Sequence, residues 1–222
     1  MKNVLLIAPH ADDETLGCGG TIQKFRQKGY KVFWLIATFP IQNNTWSRDF
    51  IKKRTSEINS VADSYGFAEV IQLKHEPSKL ESIDKKLIVS QISKILKEKK
   101  VNIMMIPHFG DVHSDHGVIF NSSISASKNF RAPNIEKILV YETLSETDFN
   151  LKANETFHPN FFVNISPFMK RKLEIMKIYE SEIMSNNLPR SIKAIKALGS
   201  LRGVRIGVEY AEAFNLIFQK YD

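Results

Sequence analysis

The chain has 222 residues, 43% hydrophobic and 25% charged, enough apolar material for one sizeable core and not the composition of a disordered chain. No apolar run approaches the roughly 18 residues that a membrane-spanning helix needs, and the single cysteine, Cys18, excludes an internal disulfide framework. The 31 Lys and Arg against 24 Asp and Glu give a net charge of +7, but no nucleic-acid-binding motif or interleaved aromatic pattern accompanies the lysine runs at 97–100 and 170–172, so both are read as solvated helix faces and no nucleic-acid partner is expected.

Short apolar runs predict strands at residues 4–8, 31–38, 69–73, 101–106 and 137–142. Near-continuous apolar runs suit strands covered on both faces of a parallel sheet. Helical patterns lie between them. Ile22 and Phe25 precede a stop at Gly29 in a helix predicted over 21–29. Phe50, Ile51, Ile58, Val61 and Ala62 mark a helix within 48–66, and Ile83, Leu87, Ile88, Ile92 and Ile95 mark another within 82–98. A further amphipathic helix is predicted over 167–183. The alternation predicts the α/β class, with a Rossmann-like, doubly wound, mostly parallel sheet in a single domain spanning 1–222. The part after Glu142 is less regular and is expected to pack against the same sheet. The N-terminal stretch lacks the form of a signal peptide, because its apolar run is short and acids follow it. With one cysteine, a cytoplasmic location is expected.

Ligands of such folds bind outside the carboxyl ends of the strands, at a switch in strand order. Two polar clusters stand at predicted strand ends. The first, "APHADDETLGCGG", holds His10, three consecutive acids and Gly17, Gly19 and Gly20. A dinucleotide turn is disfavoured here. The glycines do not read G-x-G-x-x-G, no acid follows the second strand to hold a ribose, and three carboxylates repel a pyrophosphate. The glycines are instead read as allowing a tight turn and close packing of the first helix. The second cluster, "PHFGDVHSDHG", offers His108, Asp111, His113, Asp115 and His116. Imidazole and carboxylate are ordinary zinc ligands, and a catalytic zinc site needs three of them and one open position. His10, Asp13 and one histidine of the second cluster would meet that need, leaving Asp12 to face the attacking water.

"PHADDE" with "GCGGT", and later "DVHSDH", resemble the LmbE-like or PIG-L family of zinc-dependent N-acetyl-sugar deacetylases. "RTSEINSVADSYGF" resembles the family's R-x-x-E helix, and "PNFFVNIS" and "RGVRIGVEYAEAF" resemble its C-terminal segments. The usual H-P-D-D-E has Ala11 at its second position here, and the usual H-P-D-H has Ser114; neither position is a ligand. Some members carry a mobile tyrosine where this chain has Asp111. The resemblance implies one Zn2+ per chain, or another divalent ion, held by His10, Asp13 and His116. It implies Asp12 as general base, His113 as a charged donor to the developing oxyanion and a candidate general acid, and Asp115 as the group that fixes its tautomer. Arg54 and Glu57 would line or buttress the pocket. Glu14 is read as a supporting residue, His108 as a supporting or pocket-rim residue, and Arg131, Glu142 and Tyr210 as candidate substrate contacts. The implied substrate is an N-acetylglucosamine-type sugar or conjugate, the loop 39–49 with Trp46 is expected to shape specificity, and homo-oligomers are a family expectation. Cys18 is read as a small buried residue.

Overall fold

The computed structural model describes residues 1–43 and 45–221. In chain order its main elements are β1 (Asn3–Ala8), α1 (Asp13–Gln27), β2 (Lys31–Thr38), α2 (Arg48–Tyr65), β3 (Glu69–His75), α3 (Lys85–Glu98), β4 (Ile103–Pro107), α4 (Ser114–Ala126), β5 (Lys137–Tyr141), β6 (Phe161–Asn164), α5 (Met169–Met176), α6 (Ile192–Val204) and β7 (Ala211–Gln219). Among the described residues seven strands form one sheet in the order β3-β2-β1-β4-β5-β7-β6. The first five pair in parallel. β7 and β6 add antiparallel at the β5 edge, which places the irregular C-terminal part on the same sheet.

Alternation along each strand divides the core. Val4, Leu6 and Ala8 face one layer, with Leu16 and Ile22 of α1, Ile58 and Val61 of α2, and Leu173 of α5. Leu5 and Ile7 face the other, with Ile88, Ile92 and Ile95 of α3 and Ile119 of α4. The chain runs outward from β1 to β3 and returns through β4 to the other side of β1. The switch in strand order therefore lies between the carboxyl ends of β1 and β4, where both polar clusters stand. Among the described residues no helix is long and apolar enough to cross a membrane.

Three expectations need correction. The first helix begins at Asp13, eight residues before its predicted start, so Gly17, Gly19 and Gly20 lie inside α1 and make no turn. Their role is contact. A Cβ on Gly17 would stand 2.5 Å from Tyr141 Cδ2 and 2.9 Å from the Glu142 carbonyl, and one on Gly20 would stand 2.5 Å from Ile165 Cβ. The helix predicted over 167–183 is α-helical only over Met169–Met176. Tyr179 is drawn into the core and its hydroxyl donates to Glu14 Oε1 at 2.8 Å, which takes the chain off the helical path. The lysine run 170–172 is not all solvated, since Lys172 is buried. Cys18 is buried, and that burial pushes its thiol up.

Alanine in a helix interior is favoured over glycine by about 1 kcal/mol, but overpacking a filled contact costs about 1–3 kcal/mol. Because the obstacle at Gly17 includes backbone, Gly17→Ala is expected to be destabilising by about 1–2 kcal/mol, read as a lower urea midpoint with unchanged slope.

Candidate metal centre

The first cluster is held together by its own backbone. Asp12 caps α1 with φ 151°, a conformation that L-residues rarely adopt. Such a residue persists only where its surroundings over-determine it, and here they do. The Asp12 N–H donates to Glu14 Oε2 at 3.0 Å, and the Asp12 carbonyl accepts from the N–H groups of Thr15 and Leu16 at 3.0 and 2.9 Å. Arg54 Nη1 donates to the Ala11 carbonyl at 3.0 Å, and the His10 N–H donates to Asp13 Oδ2 at 2.9 Å. Glu14 is wholly buried under this loop, where it accepts from Thr15 Oγ1 and the Tyr179 hydroxyl. Burial pushes its carboxyl up to about 7.

The second cluster is built on the start of α4. His113 caps the helix, its Nδ1 accepting from the Asp115 N–H at 3.2 Å. The Asp115 carboxylate lies 4.0 Å from His113 Nδ1 but is engaged more closely elsewhere. Oδ2 accepts from the Ser78 N–H at 2.7 Å and lies 3.2 Å from His10 Nε2, and Oδ1 accepts from the Leu80 N–H at 3.1 Å. The expectation that the Asp115 carboxylate fixes the His113 tautomer is thus replaced. The Asp115 backbone N–H does that, which puts the His113 proton on Nε2, and the carboxylate orients His10.

Two sets of donor atoms lie within 4.8 Å of one another: His10, Asp13 and His116, and His10, His113 and Asp115. Their partners decide between them. In the second set, His113 Nδ1 and both Asp115 oxygens already accept backbone N–H groups. In the first, His10 Nδ1 and His116 Nε2 stand 3.5 and 3.4 Å from Asp13 Oδ2. His116 Nε2 is buried with no hydrogen-bond partner among the described residues. Each ring is backed from behind by a carboxylate: His10 Nε2 by Asp115, and His116 Nδ1 by Asp111 Oδ2 at 2.7 Å. Thr147 Oγ1 donates to Asp111 Oδ1 at 2.6 Å. Metal-binding histidines characteristically hold their second nitrogen on a carboxylate in this way. The donor chemistry of His10, Asp13 and His116 fits a small divalent cation with an open position.

The electrostatics agree. Burial opposes charge on His10, but Asp115 and Asp13 outweigh it and push the ring up to about 9. His116 is raised well above its ordinary value by Asp13 and Asp111 against the same burial. The two imidazoles hold Asp13 far below the usual carboxylate range despite its burial. Burial, then Asp13 and Glu182, push Asp12 well above it. His113 is pulled down to about 4, first by burial and then by the neighbouring His10.

The centre opens into a cavity of about 220 Å³. His10, Asp12, Asp13 and His113 line it, with Arg54 and Trp46. Trp46 is half-buried against Phe50, ring centroids 4.9 Å apart, so the 39–49 loop does form part of the wall; Asn44 of that loop lies outside the described residues. Glu57 stays behind Arg54, its Oε2 3.5 Å from Arg54 Nε. Other candidates fall elsewhere. His108 is buried with Nε2 at 2.8 Å from the Glu155 carbonyl, bracing the loop after β5. Glu142 forms a two-pronged pair with Arg202 at 2.8 and 2.6 Å, tying β5 to α6. Tyr210 packs against Gly199 of α6, and Arg131 is exposed beyond the far end of α4, on the Ser125 carbonyl. None of these four lines the cavity, so the substrate-contact reading of Arg131, Glu142 and Tyr210 and the rim reading of His108 are not supported. Sequence reasoning missed Glu182 and Arg190. Glu182 pairs with Arg54, and Arg190 Nη2 lies 3.4 Å from Glu182 Oε2. Both sit on irregular chain after α5; Glu182 falls within the helix predicted over 167–183, where it reads as a solvated polar position, and Arg190 falls beyond it.

The family description "PIG-L: GlcNAc-PI de-N-acetylase" matches residues 5–127, more than half of the chain and both polar clusters. The chain belongs to the PIG-L family. Among PIG-L-like relatives, the diacetylchitobiose deacetylase of Thermococcus kodakarensis is 24% identical over 225 residues, covering 98% of this chain and 84% of that protein. The solved N,N'-diacetylchitobiose deacetylase of Pyrococcus horikoshii superposes with a TM-score of 0.79 at 22% identity, over 97% of this chain and 84% of that one. GalB, a 4-carboxy-2-hydroxymuconate hydratase from Pseudomonas putida, superposes with a TM-score of 0.80 at 14% identity, over 100% of this chain and 98% of that one. These superpositions establish a shared fold.

A cation entering this PIG-L centre must displace the protons that His10 and His116 hold. Zinc affinity is therefore expected to rise with pH across the neutral range, up to the His10 value of about 9, in chelator competition. Asp111→Asn, which removes the carboxylate behind His116, is expected to weaken zinc binding by about 10–100-fold in the same assay.

Proposed function

We propose that this chain is a zinc-dependent N-deacetylase that hydrolyses the acetamide of an N-acetylated amino sugar or its conjugate. One observation carries the reading: Asp12 lines the cavity beside the His10, Asp13 and His116 donors, yet belongs to neither set of candidate ligands. A purely structural metal site has no use for a strained, buried carboxylate there, whereas a hydrolase needs a base at that point. A nucleotide site is opposed by the glycines, which are packed against Tyr141, Lys172 and Ile165.

His10, Asp13 and His116 would hold the ion, one per chain. When bound, zinc supplies a water of lowered pKa and polarises an acetyl carbonyl. Asp12 takes the proton of the attacking water, and a positioned base contributes about 10² to 10⁴-fold. The new C–O bond forms on the acetyl carbon and the C–N bond breaks. Asp12 then passes that proton to the departing amine. His113 acts as a neutral donor through Nε2 to the carbonyl oxygen as negative charge develops there. Its Nδ1 is committed to the Asp115 N–H and burial holds its pKa down, which supports a neutral donor over a charged one and, in this reading, leaves the proton transfers to Asp12. The aromatic face of Trp46 suits the apolar side of a sugar ring, and Arg54, Glu182 and Arg190 offer polar groups for hydroxyls. The printed activities of the Thermococcus and Pyrococcus relatives support an acetylated amino sugar as the substrate class.

Elemental analysis paired with amine release from N-acetylglucosamine and N,N'-diacetylchitobiose tests the proposal. One zinc per chain and free amine are expected; bound zinc with no amine from any acetylated sugar offered would sink the deacetylase reading. Asp12→Asn is expected to keep zinc and to lose at least about 10²-fold in turnover. Undiminished turnover would remove Asp12 as the base.

A further inference from the structure

The glycine run inside α1 admits more than sheet packing. Lys172 of α5 and Glu212 of β7 are both buried, at 4% and 5% exposure, and they meet at 2.8 Å against the side of α1. Lys172 Nζ also donates to the Leu16 carbonyl at 2.8 Å. Glu212 accepts from the Gly20 N–H at 2.8 Å through Oε1 and from the Thr21 N–H at 2.7 Å through Oε2. Leu16 C=O and Gly20 N–H are the two ends of one i to i+4 rung of an α-helix. The ion pair grips both ends of that rung from outside. A Cβ on Gly19 would stand 2.9 Å from Lys172 Cγ and 2.6 Å from the Tyr65 hydroxyl, so a glycine there is what lets the lysine in.

Stability does not account for this pair. Burying two charges is expensive, and apolar side chains of similar volume commonly serve a core as well or better. Its contacts point elsewhere. The Leu16 N–H donates to the Asp12 carbonyl at 2.9 Å, and Asp13 is the first residue of α1. One turn of helix therefore links the pair to the base and to a metal donor.

We propose that the Lys172–Glu212 pair is a positioning clamp that sets the height and rotation of α1, and through Leu16 the placement of Asp12 and Asp13. The catalytic part of the inference rests on the deacetylase reading; the part concerning α1 and metal affinity does not.

The test compares wild type, the double variant Lys172→Met/Glu212→Leu and Ile95→Ala. The double variant removes both charges together, so no unpaired charge stays buried. Ile95 lies in the opposite core layer and its truncation destabilises without touching α1. Amide exchange over residues 13–21, Zn2+ affinity by chelator competition, and kcat and KM on N,N'-diacetylchitobiose are measured for each. The double variant is expected to lose protection over 13–21 beyond the control, to bind Zn2+ at least about tenfold more weakly, and to lose about 10² in kcat with little change in KM. Protection and zinc affinity equal to wild type, or losses no larger than those of Ile95→Ala, overturn the clamp. Should the double variant not fold, Glu212→Gln, which keeps the side-chain shape, is expected to show the same losses in smaller measure, and its matching wild type in all three overturns the clamp equally. Absence of amine release from wild type, with exchange and zinc affinity still lost in the variant, removes the deacetylase reading and leaves the clamp standing.

Discussion

The Asp13 carboxylate, set between two imidazoles that are each backed by another carboxylate, is the interaction on which the site depends. His10 approaches it from the end of β1 and His116 from the first turn of α4. Asp115 and Asp111 stand behind them and leave the ring nitrogens nearer Asp13 free to act as donors. Three carboxylates in so small a volume repel one another unless positive charge is shared among them. In the protein alone, protons on the histidines share it; a divalent cation would do the same and would also offer an open position.

That arrangement imposes demands on the fold. β1 and β4 must be neighbours, which the doubly wound strand order provides, and their carboxyl ends must lead directly into helices. At the first of these junctions the chain has two residues beyond His10 before α1 begins, and the strained cap at Asp12 is the geometric result. Glu14 and Arg54 hold the strained loop, and Tyr179 and Glu182 hold them in turn. The irregular chain after α5 thus contributes to the site although no part of it lies in either motif. Helix α1 must also come unusually close to β5 and α5, and the glycines make that approach sterically possible.

The two histidine clusters illustrate why motif residues are not equivalent. His108 and His113 are as close to the strand end in sequence as His116, yet their partners differ. His108 reaches a loop carbonyl and supports tertiary structure. His113 is spent as a helix cap, its remaining nitrogen facing the cavity region beside Ser78. His108 Nδ1 and His116 Nε2 are both buried without a hydrogen bond among the described residues, but of the three rings it is His116 whose free nitrogen lies 3.4 Å from Asp13 Oδ2.

Much was legible in the sequence because it is written in local patterns. Continuous apolar runs marked five parallel strands, periodic ones marked α2 and α3, and the α/β sheet followed; the PIG-L resemblance rested on the two motifs instead. The chemistry of "APHADDE" and "DVHSDH" was legible for the same reason, since ligand-type residues cluster at strand ends. Local pattern failed wherever a distant partner decided the outcome. The glycines read as a turn, because nothing nearby shows that Tyr141, Lys172 and Ile165 need the room. Lys172 read as a surface charge, because Glu212, its partner, lies 40 residues away in sequence. Asp115 read as the companion of His113, two residues off, while its carboxylate faces His10 across 105 residues. By itself the sequence determined the fold class and the kinds of donor available at the switch point, which depend on periodicity and residue type. Only the tertiary structure decided which carboxylate backs which imidazole, because that pairing depends on where separate strands end in space.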